Sequence, residues 1–194
     1  LNLLSKEEAR SRLKQHLPVL ERREEFESQI LTRFFPLLSG KEKIISYVAD
    51  LAWEVDLLPL VESCPLPRPA GFWELRHSAK WYFPKMMPEK RLDFVRPWEW
   101  EKNKWGIWEP KGEEKITVEE ADLILVPALG FSSDGTRLGR GGGFYDRLLS
   151  SDHLRTKTIG FCFSKFFPVP FAPEAHDCKI GKIITESRII SFLD

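Results

Sequence analysis

The chain has 194 residues, 42% hydrophobic and 30% charged, which is enough apolar material for one sizeable core and excludes wholesale disorder. Lysine plus arginine balance aspartate plus glutamate, 29 against 29, so net charge gives no drive toward nucleic acid or an anionic membrane. Three cysteines (Cys64, Cys162 and Cys178) lack disulfide-framework or metal-ligand spacing, and no apolar run approaches the roughly 18 residues of a bilayer span. A cytoplasmic protein is expected. Leu1-Asn2-Leu3-Leu4 runs straight into charged sequence and does not read as a signal peptide; with no initiating Met, residues are expected upstream.

Ser5-Lys6-Glu7-Glu8 has the S-x-x-E form of a capping box, and Ala9, Leu13, Leu17 and Leu20 follow at helical spacing. Pro18 should split this segment, with a second helix over about 21–38 carrying Phe26, Ile30, Phe34 and Leu37 on one face. Residues 44–48 read as a buried strand, and a short apolar run after Glu54-Val55-Asp56 as helical. Prolines 65, 67 and 69 stiffen an extended loop over 64–71. Strands are predicted over 80–86 and 91–95 with a turn at Pro88-Glu89, then over 122–129, 158–163 and 180–185, with a helix over 144–149. Short buried strands alternating with helices predict an α/β fold. It would be a single layered domain over 1–194, with a mostly parallel central sheet flanked by helices.

The most informative segment is Gly135-Thr136-Arg137-Leu138-Gly139-Arg140-Gly141-Gly142-Gly143-Phe144-Tyr145-Asp146. Fixing each glycine costs roughly 0.5–1 kcal/mol in chain entropy, so four near one helix start cost about 2–4 kcal/mol, more than a simple turn requires. Close backbone approach to a phosphate would offset that. Helix-start N–H groups form an anion site, and Arg137 and Arg140 add full charges beside it. Asp146 follows where a carboxylate could hold Mg²⁺ against the same phosphates. No Lys-Ser or Lys-Thr follows the glycines, which excludes a Walker A loop. Phe144 stands where a dinucleotide fingerprint needs its last glycine.

The run from Val126 to Asp146 resembles the signature of the 5-formyltetrahydrofolate cyclo-ligase family: V-P-x-L-x-F, a spacer, G-x-R-L-G-x-G-x-G, an aromatic, then Y-D. Similar agreement occurs at Lys6 and Arg10, at Glu54-Val55-Asp56, at Gly106-Ile107-Trp108-Glu109-Pro110, at His176-Asp177 and at Ile184-Thr185-Glu186. The resemblance implies an enzyme that uses ATP and Mg²⁺ to turn 5-formyltetrahydrofolate into 5,10-methenyltetrahydrofolate. A monomer is expected, and the balanced charge gives no reason to expect nucleic acid or membrane as partner. It implies ATP contacts from Lys6, Arg10 and Arg137 through Leu138, Gly139, Arg140, Gly141, Gly142, Gly143, Phe144 and Tyr145. Folate contacts would come from Ala49, Glu54, Trp105 and the stretch from Arg140 to Phe144. Arg140 and Tyr145 would be catalytic, and Asp146 and Asp177 would hold the metal. Leu57 and Ser132 depart from the pattern, replacing a usual Thr and Asp, and residues 64–79 are longer than expected. A non-enzymatic folate or nucleotide carrier and a sugar-phosphate enzyme are the competing readings.

Overall fold

The structure, a computed structural model, describes residues 3–15, 22–49, 54–57, 79–104, 106–174 and 176–193. The expectations for Pro18, the proline-rich loop and the apolar run from residue 58 lie outside these residues. The chain folds as a layered α/β protein around a mixed, mostly parallel sheet. In chain order its strands are β1 (Lys43–Ile45), β2 (Lys80–Met87), β3 (Arg91–Val95), β6 (Lys115–Ile116), β7 (Leu123–Val126), β10 (Thr158–Phe161), β11 (Lys182–Ile184) and β12 (Ile189–Ser191). Two further pairs stand apart: β4 (Glu99–Lys102) with β5 (Trp108–Lys111), and β8 (Gly130–Phe131) with β9 (Arg137–Leu138). The sheet order is β12-β11-β10-β7-β1-β2-β3-β6. The five central strands run parallel, while β12, β3 and β6 add antiparallel edges.

Side-chain alternation explains why this sheet is covered on both faces. Ile44, Leu125, Ile159, Phe161 and Ile184 point into one core, and Ile45, Ile124, Val126 and Ile183 into the other. Adjacent residues of a strand face opposite ways, so uninterrupted apolar runs such as Leu123–Val126 need a layer on each side. On the first face, helices α1 (Lys6–Gln15) and α2 (Arg23–Phe34) supply Ala9, Leu13, Ile30, Leu31 and Phe34. Helix α3 (Phe144–Leu148) and the 3₁₀ turn Asp152–Lys157 cover the second with Tyr145, Leu149 and Leu154.

The capping box forms as expected. Ser5 N–H donates to Glu8 Oε2 at 2.7 Å, and Glu8 N–H donates to Ser5 Oγ at 3.2 Å. Three expectations change. Helix α2 ends at Phe34, where Pro36 belongs to a 3₁₀ turn; Leu37 is consequently exposed and Leu31 joins the buried face. Strand β1 stops at Ile45, although Ser46 and Tyr47 stay buried. Helix α3 has only five residues, too few for an aligned dipole of much strength.

One close contact ties a hairpin to the sheet. Gly160 in β10 lies under Phe131 of β8, and a Cβ added there would sit 2.3 Å from the phenyl Cζ. Both residues are buried, so Gly160→Ala should overpack this layer and lower unfolding free energy by about 1–3 kcal/mol in urea titration. Unchanged stability would show that Phe131 is not held there.

Candidate active site

The sheet order reverses direction between β1 and β7. From β1 the chain moves one way to β2, and from β7 it moves the other way to β10 and β11. In open α/β sheets the crevice beyond the carboxyl ends of two such strands is where ligands bind. Here β1 leads to Tyr47 and the segment 54–57, while β7 leads through Pro127 to the glycine-rich loop. Two cavities open there. The larger, about 1080 Å³, is polar and lined by the cations Lys6, Arg10, Arg137, Arg147, Arg155 and Lys179, together with Asp146 and Asp177. The smaller, about 310 Å³, is mostly apolar and includes Tyr47, Met86, Trp108 and Phe144 with Glu54, Glu109 and Arg140. Arg137, Gly141 and Gly143 line both, so the glycine-rich loop is their common wall.

Local structure explains how that wall is built. The β8–β9 hairpin turns at Gly135, whose φ of 81° needs glycine, and its tip is closed by Asp134. Asp134 Oδ1 accepts from Ser132 Oγ at 2.5 Å and Thr136 Oγ1 at 2.8 Å, and Oδ2 pairs with Lys179 at 2.6 Å. Burial pushes this carboxyl up, but Lys179, Ser132 and Thr136 together hold it well below the usual carboxylate range. Ser132 therefore serves the turn, with Asp134 two residues later supplying the carboxylate.

Arg137 leaves the hairpin into the site, 6% exposed. Its Nε donates to Pro127 O at 2.7 Å, its Nη1 pairs with Asp146 at 3.1 Å, and its guanidinium lies 5.2 Å from the Tyr145 ring centroid. Gly139 makes this possible, because a Cβ there would stand 2.4 Å from Arg137 Nη1. Gly141 and Gly143 have φ of 97° and 68°, the left-handed region that other residues resist.

Three further segments converge on the loop. Leu4 N–H donates to Pro170 O at 3.0 Å and Ala172 N–H to Leu4 O at 2.8 Å, anchoring the start of α1. From that helix Lys6 and Arg10, one turn apart, reach inward. Arg10 Nε donates to Gly139 O at 2.8 Å, and Lys6 pairs with Asp177 and, at 3.2 Å, with Glu174. Arg137 N–H donates to Cys178 O at 3.0 Å, which sets the 176–179 segment beside the hairpin. Burial pushes the Cys178 thiol up to about 11, so it stays neutral. On the far side, Arg140 Nη2 donates to Glu54 Oε2 at 2.5 Å; that glutamate is 2% exposed.

Most residues expected in the site are thus gathered around one loop. Leu138 and Ala49 are exceptions: Leu138 is fully buried in the core, and Ala49 packs against it, so neither side chain lines a cavity. Trp105 lies outside the described residues. Leu57 is fully buried, which accounts for an apolar residue there. Sequence reasoning missed Arg147, Arg155 and Lys179 in the larger cavity, and Tyr47, Met86 and Glu109 in the smaller. Only Glu109 carried a signal, through its place in Gly106-Ile107-Trp108-Glu109-Pro110.

A sequence model described as the 5-formyltetrahydrofolate cyclo-ligase family matches residues 74–186, more than half of the chain. The chain belongs to the 5-formyltetrahydrofolate cyclo-ligase family. The curated 5-formyltetrahydrofolate cyclo-ligase of Escherichia coli is 27% identical over 144 residues, covering 70% of this chain and 74% of that protein. The Mus musculus protein of the same name is 33% identical over 93 residues, spanning 44% of this chain but only 46% of its own length. The NMR structure of Aquifex aeolicus 5,10-methenyltetrahydrofolate synthetase is 25% identical with a TM-score of 0.76, covering 97% of this chain and 93% of that one. A 5,10-methenyltetrahydrofolate synthetase structure from Mycoplasma pneumoniae, 19% identical with a TM-score of 0.70 over 94% and 99% of the two chains, shares the fold. The family match begins after α1, α2 and Glu54, whereas the structural likeness takes in nearly the whole chain.

Gly139→Ala tests how the loop is held. Its methyl group would crowd the Arg137 guanidinium against Asp146 and Pro127, and we expect unfolding free energy to fall by about 1–3 kcal/mol in urea titration. Unchanged stability would mean that Arg137 moves aside without losing its partners.

Proposed function

We propose that the chain is an ATP-dependent 5-formyltetrahydrofolate cyclo-ligase, forming 5,10-methenyltetrahydrofolate with release of ADP and phosphate. The observation that carries this reading is the shared wall: one glycine-rich loop borders both a cationic cavity sized for a nucleotide and an apolar cavity suited to a flat ring. A group bound on one side can pass to a group bound on the other without leaving the loop.

The chemistry calls for such an arrangement. A formamide oxygen is a poor leaving group, so attack on its carbon stalls until that oxygen is phosphorylated. The formyl oxygen attacks the terminal phosphorus of ATP, and the bond to the ADP oxygen breaks. Nitrogen 10 then adds to the formyl carbon and loses its proton, and the carbon–oxygen bond breaks to release phosphate. Positioning and charge stabilisation dominate such transfers. Lys6, Arg10 and Arg137 bind the phosphates in this reading. Arg140, held by Glu54 at the folate side of the loop, meets the charge that builds on the transferring group. Glu54 also faces the pterin. Tyr145 has a buried hydroxyl without a hydrogen-bond partner among the described residues, and burial pushes its pKa well above the usual phenol range, so in this reading it acts as a protonated donor.

Mg²⁺ fits Asp146 and Asp177. Both line the phosphate cavity and offer hard oxygen ligands, and Asp146 keeps Oδ2 clear of hydrogen bonds among the described residues. Asp177 accepts from Lys6 at Oδ1 and from Glu174 N–H at Oδ2, 2.7 Å. Two carboxylates suffice because this ion retains water and takes phosphate oxygens, neutralising their charge when bound. The same reading takes residues 1–194 as one cyclo-ligase-like domain acting as a monomer, since described residues of one chain line both cavities. Cys162 and Cys178, buried and unbonded, suit a reducing cytoplasm.

Protein given Mg²⁺-ATP and 5-formyltetrahydrofolate should generate the near-ultraviolet absorbance of the methenyl product. Arg140→Ala should lose at least about a hundredfold in kcat while its melting profile stays cooperative. Folded wild-type protein that binds the folate without forming product would favour a carrier, and a near-normal Arg140→Ala rate would remove Arg140 from the chemistry.

A further inference from the structure

Glu109 is a buried carboxylate that nothing so far explains. It lies on β5, 8% exposed, and lines the smaller cavity. Its Oε1 accepts from Met86 N–H at 3.3 Å and from Asn103 Nδ2 at 3.0 Å. Oε2 receives no hydrogen bond, and Glu109 forms no ion pair, among the described residues. Its cross-strand neighbour Glu101 carries the same charge and is served by Lys85 at 3.1 Å and Lys111 at 3.5 Å. A glutamine would satisfy Met86 and Asn103 equally well without burying a charge. The carboxylate is therefore suited to a ligand that brings an N–H group into the cavity.

We propose that Glu109 is a specificity-determining residue that accepts the N8–H of a reduced pteridine ring. The inference rests on the cyclo-ligase reading for the class of ligand. In that reading Arg140 faces the formyl-bearing side of the ring, at nitrogen 5. Nitrogen 8 lies across the ring from nitrogen 5, and Glu109 belongs to a different wall of the cavity, the β4–β5 pair rather than the glycine-rich loop. In a reduced ring nitrogen 8 carries hydrogen and donates. In the fully oxidised ring it is a bare acceptor, which a carboxylate repels. Glu109 thus makes the cavity read oxidation state as well as shape.

The test uses two folates with the same 2-amino-4-oxo edge that differ at nitrogen 8, namely 7,8-dihydrofolate, which has the hydrogen, and folic acid, which lacks it. By calorimetry without nucleotide, the wild-type protein should bind 7,8-dihydrofolate about tenfold or more tightly than folic acid. Glu109→Gln, whose amide can donate to a bare nitrogen, should bring that ratio close to one and leave ATP affinity unchanged. The same preference in Glu109→Gln as in the wild type overturns the proposal, as does a wild-type protein with no preference. A wild-type ratio near one overturns the proposal even if Glu109→Gln fails to fold, in which case Glu109→Asp, which keeps the carboxylate, should retain the preference and Glu109→Ala should lose it. Wild-type protein that binds neither 5-formyltetrahydrofolate nor either probe would instead bring down the cyclo-ligase reading, and this inference with it.

Discussion

A guanidinium buried between two cavities constrains everything around it. Arg137 is always charged, and taking that charge out of water is tolerable only with partners of good geometry. Asp146 supplies the countercharge, Pro127 O takes Nε, and Tyr145 offers its ring face. These partners come from two separate pieces of local structure: Pro127 follows the end of β7, and Tyr145 and Asp146 lie in the first turn of α3. The residues between must then cross directly over the guanidinium, which only a residue without a side chain permits. Gly139 is that residue. Gly139 leaves room for Arg137, and Gly141 and Gly143 take the left-handed backbone that other residues resist.

This arrangement also assigns a task to distant parts of the chain. Helix α1 is tied to residues 170–172 by backbone hydrogen bonds, which carries Lys6 and Arg10 to the loop from more than a hundred residues away in sequence. The 176–179 segment runs alongside the hairpin and delivers Asp177. The β4–β5 pair docks on β2 through an edge-to-face contact of Trp100 with Phe83, ring centroids 5.0 Å apart, and forms the wall that holds Glu109. The chemical contrast between the cavities follows. The helix and loop segments bring cations to one, and β2 with the β4–β5 pair brings Met86 and Trp108 to the other.

Much of this was legible in the sequence because it is local. The capping box, the apolar period of α1, the run Leu123–Val126 and the Pro88-Glu89 turn each depend on neighbours within a few residues, and each formed. The glycine and arginine string marked the loop that borders both cavities. What was not legible depends on packing between distant segments. Strands β8 and β9 have two residues each, too few to show a period, and are held together by the Gly135 turn and the contacts of Asp134. Leu37 followed the helical period but fell after Pro36 had already tightened the chain. Arg147, Arg155 and Lys179 look like ordinary surface cations until the fold turns them toward one cavity. Leu138 sits inside the motif yet points into the core, a consequence of strand alternation beside Arg137.

The central claim is that the loop from Gly139 to Gly143 separates a triphosphate from the group that receives its terminal phosphate. A crystal structure with Mg²⁺, a non-hydrolysable ATP analogue and 5-formyltetrahydrofolate tests it most directly. The account predicts the triphosphate against Lys6, Arg10 and Arg137 in the larger cavity, its terminal phosphate at the loop, and the formyl group facing it beside Arg140. A triphosphate bound away from this loop, with the folate still in the smaller cavity, would contradict it.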